Sequence, residues 1–128
     1  MPFPLDKAFV DACEVKLGAK LPVEYVQAMC SCNGGERIIE GEDWFLHPIA
    51  DTSDRKRLAR TCNDIIRETA FWSDWPGAPD GAITIANDGC GNHLILFRNG
   101  DAFDSTIYRW DHETGDVTPV VSSFDQLG

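Results

Sequence analysis

Between Ser73 and Gly81 the chain reads Ser-Asp-Trp-Pro-Gly-Ala-Pro-Asp-Gly, and two prolines with two glycines in so short a stretch exclude a helix or an inner strand there. That break separates two regimes. Ahead of it, apolar residues recur mostly at helical spacing. Behind it, short β-branched and aromatic runs alternate with glycine-bearing turns. Helices early and strands late, joined by short links, predict an α+β domain with N-terminal helices packed on a mainly antiparallel, twisted β-sheet.

The first helix is marked by Leu5, Ala8, Phe9, Ala12, Cys13 and Leu17, with Asp6 to start it and Gly18 to stop it. A second begins at Leu21–Pro22 and carries Tyr25, Val26, Met29 and Cys30 as far as the Asn33-Gly34-Gly35 reversal. Residues 37–40 and 44–48 then flank Gly41-Glu42-Asp43 as a hairpin. A third helix is expected over about Ser53–Phe71, capped by Ser53 or Asp54, with Leu58, Cys62, Ile65, Ile66 and Thr69 as its apolar stripe. Beyond the break, strands are expected at 82–86, 93–98, 106–111 and 117–121, followed by one helical turn at 122–127. No repeat, low-complexity tract or linker interrupts the chain, so one domain is expected over residues 1–128.

The hydrophobic fraction of 43% and charged fraction of 25% are those of a folded globular chain. No apolar run approaches the ~20 residues that cross a bilayer. The opening Met-Pro-Phe-Pro-Leu-Asp lacks a basic segment followed by an apolar one, so no secretory signal is expected and the chain is placed in the cytoplasm. Five cysteines make an odd count, and Cys30 and Cys32 do not have zinc-ribbon spacing. Reduced, structural thiols are expected, with Cys13 and Cys62 acting as small hydrophobes. No metal and no cofactor is expected.

Charge restricts the partners. Twenty-one acidic residues against 11 basic ones give −10, which repels nucleic-acid phosphate and anionic membranes and favours rapid encounter with a basic protein.

Three groups of residues invite a chemical reading. The Asn87–Asn92 loop combines two glycines with side-chain oxygens, but it lacks the alternating acids and terminal glutamate of a calcium loop and leads into a strand rather than a helix. It reads as a turn whose Asp and Asn side chains bond to their own backbone. In Tyr108-Arg109-Trp110-Asp111-His112-Glu113, alternation places Tyr108, Trp110 and His112 on one face, which reads as an aromatic row ending in a polar turn. His47, His93 and His112 are far apart and none has an HExxH-like partner. No catalytic residue is assigned, and a metal-dependent hydrolase built on those histidines is the rival from another class.

In order along the chain, these segments resemble the SUKH superfamily, the group of fungal glucan-synthesis and cell-wall regulators and their bacterial relatives. Glu14, Leu17-Gly18, Leu21-Pro22-Val23-Glu24-Tyr25 and Asn33-Gly34-Gly35 are similar to its opening; Trp44–Pro48 to its short hairpin strand; Ala82–Asn92 to its "I-x-I-A-x-D-G-x-G-N" element; Tyr108–Glu113 to its "VYxWDHE" strand and turn; and Ser123-Phe124 to its closing "SF". With the sequence ending at Gly128, the family's C-terminal helix is expected to be short or missing.

The resemblance implies a non-enzymatic domain that recognises proteins. Many bacterial relatives are immunity proteins that neutralise a polymorphic or contact-dependent toxin by binding its toxic domain; fungal members are regulators or scaffolds. The expected partner is therefore a cognate toxin domain, such as a basic nuclease, or another protein, with no nucleic acid and no membrane. The expected contacts are the loop carboxylates Asp88, Asp101, Asp104, Asp111, Glu113 and Asp116.

Overall fold

The computed structural model describes residues 3–127; Met1, Pro2 and Gly128, the ends of the expected 1–128 domain, lie outside the described residues. Helix α1 (Lys7–Leu17) starts where the Asp6 side chain accepts the Ala8 N–H at 2.9 Å. It stops at Gly18, whose φ of 73° lets its own N–H return to Glu14 and Val15 carbonyls. Pro22 precedes α2 (Val23–Ser31), which buries Tyr25 and Met29. The link between the helices is tied by the Glu14 carboxylate, which accepts the Leu21 N–H at 2.7 Å.

Strands β1 (Gly35–Ile39) and β2 (Glu42–Leu46) form an antiparallel hairpin. Its turn is Glu40-Gly41 rather than the expected Gly41-Glu42-Asp43. Both residues have positive φ, 53° and 80°, the two-residue geometry whose twist matches that of the flanking strands. Glu42 and Asp43 are thereby drawn into β2.

The single third helix is replaced by two short ones, α3 (Arg55–Arg60) and α4 (Ile65–Trp72). Four bonds break the run. Thr61 Oγ1 accepts the Asp51 N–H at 2.9 Å. The Ile65 N–H leaves the helical ladder for the Pro48 carbonyl at 2.9 Å. The Asp64 carboxylate caps α4 by accepting from Ile66 and Arg67 N–H. Leu58 and Cys62 consequently face solvent instead of a core. Helix α3 carries Arg55, Lys56, Arg57 and Arg60, four of the chain's 11 basic residues. Phe3 lies against three of them, with the Arg57 guanidinium 4.5 Å from its ring centre.

The remaining strands are β3 (Ala82–Asn87), β4 (His93–Asn99), β5 (Ala102–Phe103), β6 (Ile107–Trp110) and β7 (Val117–Val121). The sheet runs β1-β2-β3-β4-β6-β7, with β5 paired to β4 and every strand pair antiparallel. The fold is the α+β arrangement expected. Strand β5 was not foreseen; Lys20 pins it by donating its N–H to Asp101 O and accepting from Phe103 N–H. Along β4, Leu94 and Leu96 face the main core, which also holds Val10, Tyr25, Met29, Trp44 and Ile107. Ile95 points the other way, into a smaller cluster with Trp72, Ala82 and Trp110. The chain closes on a 3-10 turn (Phe124–Leu127), where Phe124 meets Tyr25 edge-on at 5.2 Å.

Candidate functional site

Antiparallel pairing decides which loops are neighbours. His93, the first residue of β4, pairs with Trp110, the last of β6, so the β3–β4 loop and the β6–β7 turn lie side by side at one end of the sheet. At the same end, β2 meets β3 at Phe45 opposite Asn87. The Glu42–Trp44 part of β2 therefore extends past the end of β3. The β4–β5 turn lies at the other end. The six expected carboxylates thus divide: Asp88, Asp111, Glu113 and Asp116 share one end, and Asp101 and Asp104 sit at the opposite one.

Within the first group, two carboxylates are engaged in shaping the turns. Asp88 accepts from Cys90 N–H at 2.8 Å, Asn92 N–H at 3.1 Å and the Asn92 side-chain amide at 2.9 Å. Burial works to raise its pKa, but these hydrogen bonds outweigh it and hold the carboxyl below its usual range. The other face of that amide reaches across the loops: Asn92 Oδ1 accepts the His112 N–H at 3.1 Å and lies 2.8 Å from His112 Nδ1. An amide oxygen only accepts, so Nδ1 carries the proton. Asp111 likewise accepts from Glu113 N–H at 2.8 Å and Thr114 N–H at 3.4 Å. The loop is the self-bonded turn that the sequence suggested.

Glu113 and Asp116 remain exposed, with Glu113 Oε1 only loosely set 3.8 Å from His112 Nε2. At the far end, Asp104 accepts from Asn99 Nδ2 at 3.4 Å. Sequence reasoning passed over Glu40, Glu42 and Asp43, which the hairpin brings to the acidic end. Their run of acids was visible, but its location depended on β2–β3 register. Arg109 offsets part of this charge, with Nη2 3.9 Å from Glu42.

Two of the three histidines converge. His47 and His93 have ring centres 6.2 Å apart, and the His93 ring is 5.9 Å from Trp72 and 6.0 Å from Trp110. His93 Nδ1 lies 2.7 Å from Thr84 Oγ1, whereas His47 is 2% exposed and its Nε2 has no hydrogen-bond partner among the described residues. Burial first, and then the other ring's charge, pushes His47 down to about 4. Burial also takes His93 to about 4, against the pull of Asp88 and with help from His112. The neutral His93 ring packs against both indoles, and the neutral His47 ring lies beside it. Among the described residues, no three His, Cys, Asp or Glu side chains are grouped to hold a metal ion.

None of the described helices is long and apolar enough to cross a membrane. The family model for the SMI1 / KNR4 family (SUKH-1) matches residues 4–127, nearly the whole sequence. The chain belongs to the SMI1 / KNR4 family (SUKH-1). Comparison with curated proteins finds no match. Membership fits a protein-binding role, and the polar side chains of the Asp88–Asn92 turn serve its own backbone and the neighbouring His112.

Proposed function

We propose that this chain is a non-catalytic immunity protein that binds the toxic domain of a cognate polymorphic or contact-dependent toxin in the cytoplasm and covers its basic, substrate-gripping surface. SMI1 / KNR4 membership supports the protein-binding part. The observation that carries the electrostatic part is the distribution of charge. No lysine or arginine occurs between Arg67 and Arg98 or after Arg109, and these stretches supply the β3–β4 loop and the β6–β7 turn. An acidic end of this kind attracts a nuclease-like partner while repelling nucleic acid itself.

Co-expression with the protein encoded by the adjacent gene, followed by affinity capture at low and high salt, tests the proposal. The expected result is a complex whose association slows as salt rises, together with protection of cells from the toxic domain. Absence of both complex and protection rejects the reading; a complex indifferent to salt rejects its electrostatic half.

A further inference from the structure

Helix α4 buries Ile65 and Trp72. At four-residue spacing on its outward side and into the following turn stand Arg67, Phe71 and Trp75. Phe71 is 60% exposed and Trp75 54%, while the Arg67 guanidinium lies 5.7 Å from the Phe71 ring centre. Single surface aromatics are ordinary. Two in succession beside an arginine have the composition of an interface centre.

The ridge is also held in place. The Trp75 N–H donates to Trp72 O at 2.9 Å, and Trp75 O accepts from Ala78 N–H at 3.2 Å. Two residues on, Gly77 O accepts the buried Trp110 Nε1–H at 3.1 Å. The loop abuts the β6–β7 turn so closely that a Cβ on Gly77 would stand 3.6 Å from the Gly115 Cα. An aromatic on backbone fixed in this way loses little conformational freedom on binding. Arg67 apart, the charged side chains beside it on the loop and the adjoining turn are acidic. Asp74 and Asp80 on the loop and Glu113 and Asp116 on the adjoining turn are all exposed. Both stretches are free of Lys and Arg.

We infer that the Phe71–Trp75 ridge and its acidic flank, Asp74, Asp80, Glu113 and Asp116, form the docking surface for a partner protein that presents a basic face with an apolar recess for Trp75. The inference rests on the binding role proposed above and adds where it occurs. It selects Glu113 and Asp116 from the six candidate carboxylates and excludes Asp101 and Asp104. A second copy of this chain, at −10, is a poor occupant because the flanks repel each other.

The test uses the full chain and, as probe, the purified toxic domain encoded beside its gene, titrated by calorimetry and stopped-flow fluorescence. Trp75→Ala is expected to weaken binding at least ~30-fold, and Phe71→Ala to weaken it as well. Both side chains are exposed, so far-UV dichroism should be unchanged. Glu113→Lys with Asp116→Lys should slow association and flatten its salt dependence. Asp101→Lys with Asp104→Lys should leave the affinity as in the wild type. Wild-type binding that survives both aromatic substitutions overturns this surface while leaving the immunity reading intact. No binding by the wild type overturns both. Self-association abolished by Trp75→Ala assigns the ridge to a second copy and overturns the inference.

Discussion

The Nε1–H of Trp110 donates to the carbonyl oxygen of Gly77 across 3.1 Å. One bond joins the buried end of β6 to the Pro/Gly segment that separates the helical and strand-rich halves of the sequence. Trp110→Phe keeps most of the apolar volume but orphans that carbonyl. Urea unfolding should show a loss of about 1–3 kcal/mol, and a protease should cut residues 73–81 faster than in the wild type.

Gly91 sits at a φ of 104°, and a Cβ there would come within 2.9 Å of the His112 ring. Gly91→Ala therefore meets both an unfavourable backbone and a clash that pushes His112 off Asn92. Gly81, at φ 77° with open space around it, meets only the backbone term, roughly 1–2 kcal/mol. Chemical denaturation should find Gly91→Ala the more costly of the pair.

His47 and His93 lie near 4 in the fold, against 6.5 for an ordinary histidine. Between those values the unfolded chain binds protons that the folded chain does not, so stability rises with pH across this window. The contribution is complete above about 6.5 and is lost as pH falls towards 4. A plot of melting temperature against pH should slope accordingly. His47→Gln should make that slope shallower, whatever it does to the absolute stability.

Cys13 is buried, and its thiol is pushed up to about 12, by burial first and then by Asp64 and Glu14. Cys62 and Cys90 are exposed. Near neutral pH a thiol reagent should label Cys62 and Cys90 in the native protein and reach Cys13 only after unfolding, because the thiolate is the reactive form. Mass spectrometry of labelled peptides reads this directly.

Much of the fold was legible where the deciding interaction is local. Asp6, Gly18 and the Asp88–Asn92 turn act through bonds within a few residues, and their chemistry can be read along the chain. The division of the third helix was hidden because its causes are partly distant. Pro48 takes the Ile65 N–H and Asp51 donates to Thr61, contacts that apolar periodicity does not register. The same holds for the candidate site. Each carboxylate was visible, but only strand pairing sets Asp111, Glu113 and Asp116 beside Asp88 and carries Asp101 and Asp104 away. Trp75 lay in a segment recognisable only as a loop, with no sign that its backbone would be clamped.

Helix α3 gathers Arg55, Lys56, Arg57 and Arg60 on one short segment, which leaves the rest of the chain with 21 acidic side chains against seven basic ones. The charge is thus unevenly spread along the chain, although Arg57 is itself held by Asp54 at 2.7 Å and by Asp51 at 3.8 Å. Relocating those four cations would redistribute the field that an approaching charged partner meets, while the net charge stayed the same.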